Sequence, residues 1–173
     1  MSDSMALLAE RWPDIPYEPW RETCSALHLY AQVVGKYRLA RTPWVNHSWH
    51  ATLYVAARGL TTSPVPDAPG TVEIVFDLLD HRLIGNASHG NTAGFALGPM
   101  SVAEFHAQFL DLIRSLGGTP HFHGRPNEVP EPVRFADDRI RRPYDGDAVT
   151  HFFHAMVSID RVMKHFRTGF SAR

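Results

Sequence analysis

Eleven histidines are spread over the 173 residues, and histidine is both the side chain that titrates nearest neutrality and the commonest metal ligand. The densest polar stretch runs from Asn46 to Pro66, Asn-His-Ser-Trp-His-Ala-Thr-Leu-Tyr-Val-Ala-Ala-Arg-Gly-Leu-Thr-Thr-Ser-Pro-Val-Pro. From Ser48 to Ala57 residue types alternate, which predicts a strand with Trp49, Ala51, Leu53 and Val55 on one face. His50, Thr52, Tyr54 and, where the strand extends, Arg58 share the other. Such a face either meets water or lines a polar pocket. The following Arg58 to Pro64 predicts a turn, because Gly59 accepts positive φ, hydroxyls bond nearby backbone, and Pro64 and Pro66 stop a ladder. An Arg58 fork beside Thr61, Thr62 and free amides can hold a carboxylate or phosphate. The plainer alternative is a self-satisfied turn with Arg58 paired to Asp77 or Asp80. The leading expectation is a small polar or anionic ligand in a pocket on the polar face of strand 48–58, bound by His50, Thr52, Tyr54, Arg58, Thr61 and Thr62.

A metal-dependent enzyme is the second expectation. It would use His47 and His50 with His121, His123 or His81, the metal lowering the pKa of a bound water. His121-Phe-His123 projects two imidazoles from one face of an edge strand, half of what a zinc site takes. His151 and His154 sit on the last helix, where about 100° per residue puts one at the flank of the apolar stripe and the other nearly opposite it. That pair divides between two environments. Asp80 and His81 form a hairpin tip, where neighbours point apart. Motifs for phosphate loops, dinucleotide folds, helical zinc proteases and serine hydrolases are missing from the chain. A third expectation is a structural or protein-interaction module. Catalytic residues, cofactor and oligomeric state are left open.

These side chains need elements to carry them. The chain is long enough to bury a core as one domain, 1–173, and the balance of 44% apolar and 20% charged residues is ordinary for a soluble protein. A net charge of −1 offers no basic surface for nucleic acid. No run approaches the roughly 18 apolar residues of a membrane span, and the N-terminus lacks the pattern of a secretory signal. Cys24, the single cysteine, falls on an apolar helical pattern and has no partner for an internal disulfide, which predicts a packing role in a reducing, cytoplasmic setting. After an extended lead-in (1–18), Trp20, Cys24, Leu27, Ala31, Val34 and Tyr37 predict a long helix ending near Arg41. Val72 to Leu79, Arg82 to Ser88 and Thr92 to Leu97 predict a meander. Ser101 and Glu104 form a capping box ahead of a stripe of Val102, Phe105, Phe109, Leu112, Ile113 and Leu116, closed by Gly117-Gly118, with His106 on the wet side. A Pro-rich connector (125–134) leads towards a last helix from about Gly146 to Phe170. The fold expected is α+β, a mainly antiparallel sheet of four or five strands packed by three helices.

Arg11 to Trp20, Leu27-His-Leu-Tyr-Ala-Gln-Val-Val-Gly-Lys36, Asn46-His-Ser-Trp-His50 and Ala57-Arg-Gly-Leu-Thr-Thr-Ser-Pro-Val-Pro66 form a long signature. Phe76-Asp-Leu-Leu-Asp-His81, Pro126-Asn-Glu-Val-Pro-Glu-Pro132 and Asp160 to Arg167 extend it. The chain so described resembles a bacterial family catalogued as a domain of unknown function, over nearly its whole length. The family pattern reads Asn-His-Trp-Trp-His where this chain has Ser48 third. Two departures stand out. Arg141 precedes Tyr144-Asp145 where the family carries a His, and the chain stops at Arg173 where members continue, as an N-terminal part or a short version would. The resemblance brings no activity with it.

Overall fold

The computed structural model describes residues 12–67 and 70–169. Helix α1 (Tyr17–Leu39) begins after Pro16 and ends in a turn carrying Lys36 and Arg38, cations that suit the negative end of a helix dipole. Its inner face repeats at helical spacing as Ala26, Tyr30, Val33, Val34 and Tyr37, all fully buried. Strands β1 (Tyr54–Ala56), β2 (Gly59–Thr61), β3 (Val65–Asp67), β4 (Gly70–Asp77), β5 (Arg82–Ala87) and β6 (Thr92–Ala96) form one antiparallel sheet. Its order is β1-β2-β4-β5-β6, with β3 also paired to β4. The short strands β7 (Met100–Ser101) and β8 (Arg141–Arg142) pair separately.

Helix α2 (Val102–Ser115) starts at the expected capping box: the Glu104 amide donates to Ser101 Oγ (3.1 Å) and the Ser101 amide donates to Glu104 Oε2 (2.7 Å). Helix α3 (Gly146–Thr168) is capped by Asp145, which accepts from the Ala148 amide. Among the described residues the architecture is therefore α+β, an antiparallel sheet packed by three helices. Six strands pair in the sheet because Thr62-Ser63-Pro64 divides one edge into β2 and β3. Thr62 is buried there and its Oγ1 accepts the Ile74 amide (2.9 Å), standing in for a ladder partner at the break. Among the described residues no helix is long and apolar enough to cross a membrane.

The core lies between the sheet and the helices. Phe105 of α2 stacks on Tyr30 of α1 at 4.3 Å and on Phe76 of β4 at 6.3 Å, joining three elements through one ring. Tyr30 keeps its hydroxyl satisfied by donating to the Met100 carbonyl. At the far end of α1, Trp20 stacks on Phe152 of α3 at 5.4 Å.

Two expected strands are absent, each for a local reason. The stretch from Ser48 to Arg58 is not one strand, because His47 and Ser48 take left-handed backbone (φ 56° and 58°) inside a 3-10 turn spanning Asn46–Ala51. Extended pairing begins only at Tyr54, and Ala57-Arg58 turns the chain into β2. Gly59 is required at that turn, since φ is 155° and a Cβ would stand 1.8 Å from the Phe76 carbonyl oxygen. Thr119 to Gly124 forms no edge strand either. Arg41 takes the carbonyls of both Thr119 and His121, and the His121 amide folds back onto the Thr119 carbonyl, so the ladder groups are already in use.

Asp67 fastens the end of α1 to the rest. Its carboxylate accepts from Tyr37 Oη (2.9 Å), Arg41 Nε (3.0 Å), the Thr119 amide (2.8 Å) and Thr119 Oγ1 (2.8 Å). Burial pushes this carboxyl up, but the Thr119 and Tyr37 hydrogen bonds and the Arg41 charge outweigh burial and leave it below the usual value. The unfolded chain therefore takes up the proton first on acidification. The stabilisation is present above an ordinary Asp value of about 4 and is lost as pH falls through the folded value. Asp67→Asn is expected to cost about 3 kcal/mol at neutral pH and clearly less at pH 3, measured by denaturant unfolding; an equal loss at both would remove the carboxylate from the account.

Candidate functional site

The residues expected to share a polar face are distributed, and each is used by the protein itself. His50 is buried, and its Nδ1 accepts the Val45 amide (3.1 Å) while its carbonyl accepts Thr42 Oγ1 (2.9 Å). It pins the 3-10 turn to the end of α1. The exposed Thr52 lends its carbonyl to Arg38, whose guanidinium lies 5.1 Å from the Tyr54 ring centre. Tyr54 is exposed and donates its hydroxyl to the Trp49 carbonyl. Arg58 pairs with Asp77 (2.6 Å) and Asp80 (2.6 Å), the self-satisfied alternative. Burial raises the Asp77 carboxyl, and Arg58 with the Asp80 and Leu79 amides more than reverses it. Thr61 donates to Glu73 and accepts the Ser63 amide. Of the six, none lines the cleft described below.

The histidines are equally dispersed. His47, His121 and His123 are exposed, and the latter two border a shallow depression beside Arg41 and Asp67. His81 Nδ1 lies 3.0 Å from Tyr144 Oη, and burial pushes that phenol up. His151 is exposed and His154 half-buried. His106, expected in water, is half-buried against Phe122 and Phe135, and burial holds its pKa below the usual value. Cys24, expected in the core, is exposed. Among the described residues no group of three or more His, Cys, Asp or Glu is placed to hold a metal ion.

The structure builds a different site on the outer face of α1. His28, Ala31, Gln32, Gly35, Lys36 and Leu39 recur at helical spacing and form its floor. Ser48, Ala51 and Leu53 from the 3-10 turn form one wall, and Asn127 and Glu128 from the Pro-rich connector form the other, enclosing a cleft of about 420 Å³. The connector packs Val129 against the core, and one side chain clamps its backbone. Gln32 Nε2 donates to the Asn127 carbonyl and Gln32 Oε1 accepts the Asn127 amide, both at 2.8 Å, so a side-chain amide imitates a strand partner. Ser48 and Glu128 both take left-handed backbone (φ 58° and 55°), at a cost of about 1 kcal/mol each. A larger chamber of about 600 Å³, with Tyr17, Arg21, Cys24 and Val129 among its walls, adjoins the cleft through the shared His28 and Glu128.

Lys36 is the residue that sets this cleft apart. It is 9% exposed, lines the cleft, and has no carboxylate or hydrogen-bond partner among the described residues. Arg41, three positions past the buried Arg38, shows the contrast, since it is paired to Asp67. The helical row His28, Gln32, Lys36, at steps of four, was the available sequence signal for this face. A basic residue in the last turn of a helix is explained equally well by the dipole, which hides it.

A family model described as a family of unknown function (DUF5996) matches residues 12–173. The chain belongs to this family. No curated protein and no solved structure matches it. Three of the stretches on which the family resemblance rests, 27–36, 46–50 and 126–132, each contribute residues to the cleft.

The clamp is open to a direct test. Gln32→Ala removes both bonds to Asn127 and is expected to cost about 1 to 2 kcal/mol, while exposing the 125–131 connector to limited proteolysis. Cleavage no faster than in the parent would show that other contacts hold the connector.

Proposed function

We propose that this protein binds a small polar or anionic molecule in the cleft between α1, the 3-10 turn and the Pro-rich connector, with Lys36 as the cation that receives it. The observation that carries the reading is Lys36 itself, 9% exposed and without a protein counter-charge among the described residues. The stem is buried while the ammonium keeps access to the cleft, since Arg38 Nε is the one fully buried side-chain N or O atom without a partner among the described residues. No carboxylate among the described residues pairs with Lys36, Glu128 on the connector wall included, so the open side of the cleft is where a counter-charge can arrive. His28 and Ser48 add polar groups to the lining, and Ala31, Leu39, Ala51 and Leu53 add apolar surface, the mixture typical of a small-molecule site. The volume of about 420 Å³ falls at the small end of such sites.

Composition supports a small ligand over a nucleic acid, with a net charge of −1 and no basic excess. The single cysteine supports a reducing, cytoplasmic setting.

Lys36→Met keeps the length and apolar stem of the side chain and removes the charge. A thermal-shift screen of phosphate, acetate, succinate and citrate at low salt is expected to give stabilising ligands whose affinity falls at least about tenfold in Lys36→Met and is unchanged in Arg58→Ala. Ligands indifferent to Lys36→Met, or lost in Arg58→Ala, would contradict the placement.

A further inference from the structure

The cleft carries a second charge of opposite sign. Glu128 lines it from the connector while Lys36 lines it from α1, and neither makes an ion pair or side-chain hydrogen bond, with the other or with any described residue. Two opposite charges bordering one small cleft, and standing beyond ion-pair distance, leave space for a molecule that bridges them.

The backbone around Glu128 is arranged to keep its carboxylate there. Its φ of 55° is a strained conformation for a residue with a side chain, and the preceding Asn127 is bonded through both backbone groups to Gln32. The anchor fixes the strained residue against α1. Gln32 is taken up by Asn127 and by His28, whose Nε2 lies 3.1 Å from Gln32 Nε2, so it does not compete for ligand. Between the two charges the lining is largely short or apolar, Ala31, Gly35, Leu39, Ala51 and Leu53, which suits a carbon skeleton better than a hydrated ion.

A plain anion would satisfy Lys36 but place its charge near a carboxylate, and like charges brought together lower affinity. A plain amine meets the reverse difficulty. We infer that the ligand is an amino-carboxylate, its carboxylate received by Lys36 and its ammonium by Glu128; this deepens the anion-binding reading and rests on it.

Four probes of equal carbon count separate the two claims: butyrate, α-aminobutyrate, γ-aminobutyrate and n-butylamine, titrated by calorimetry or ligand-observed NMR into the full chain, Lys36→Met and Glu128→Gln. At least one aminobutyrate is expected to bind about fivefold more tightly than butyrate, the upper range for an exposed charge pair. Glu128→Gln should abolish that preference while leaving butyrate binding unchanged or tighter, and Lys36→Met should weaken both. Circular dichroism of each variant confirms that it is folded. Equal or tighter binding of butyrate by the parent, or a preference that survives Glu128→Gln, overturns the amino-carboxylate assignment and leaves anion binding intact. Binding of none of the four, or butyrate binding indifferent to Lys36→Met, overturns the anion-binding reading and this inference with it.

Discussion

The Asp67 carboxylate receives four hydrogen bonds from α1 and from the loop after α2, and the placement of the outer face of α1 follows from it. Tyr37 and Arg41 lie on the last turn and just beyond it, so the latch holds the carboxyl end of the helix at a set height over β3. Lys36 precedes Tyr37, and the helix geometry turns it about 100° away from the latch, towards the cleft. Tyr37 is buried against Phe109 and Phe122, which fixes the rotation of the helix as well as its height. The inner face is thus committed to the core, and the outer face is left as a rigid floor on which the 3-10 turn and the connector are mounted.

That division explains why the cleft is built from strained parts. A long helix offers a regular surface without concavity, so walls have to come from segments that bend sharply over it. His47, Ser48 and Glu128 supply the bends through left-handed backbone, and His50 and Gln32 hold the bent segments down by bonding backbone groups of Val45 and Asn127. The strain and its restraints occur together, as expected where a structure is shaped for something besides its own stability. A lysine whose stem is buried and whose charge has no ion-pair partner among the described residues belongs to the same pattern.

Much of the fold was legible in the sequence because it depends on local signals. The Ser101/Glu104 capping box, the meander with its tip at Asp80-His81 and the long first and last helices all follow from neighbours a few residues apart, and the meander in turn brings Arg58 to Asp77, 19 positions on, and to Asp80. The site was less legible. Alternation from Ser48 to Ala57 matched a strand, yet two non-glycine residues in left-handed backbone override alternation, and nothing in the types His and Ser announces that conformation. The wall facing α1 comes from residues 95 positions away from Gln32, a contact that spacing along the chain does not encode. Lys36 was visible only as the basic end of a helix. Among the histidines, clustering in the sequence did not become clustering in space, because His50 is consumed as a structural bond and His121 and His123 lie on an exposed turn shaped by Arg41.

Amide-resolved NMR of the protein titrated with γ-aminobutyrate or butyrate tests the placement of the site most directly. Shift changes are expected to concentrate at residues 28–39, 46–53 and 126–128, the three segments that enclose the cleft. Changes confined to 58–63 and 77–80, around Arg58, or to 119–123, beside the exposed histidines, would contradict it.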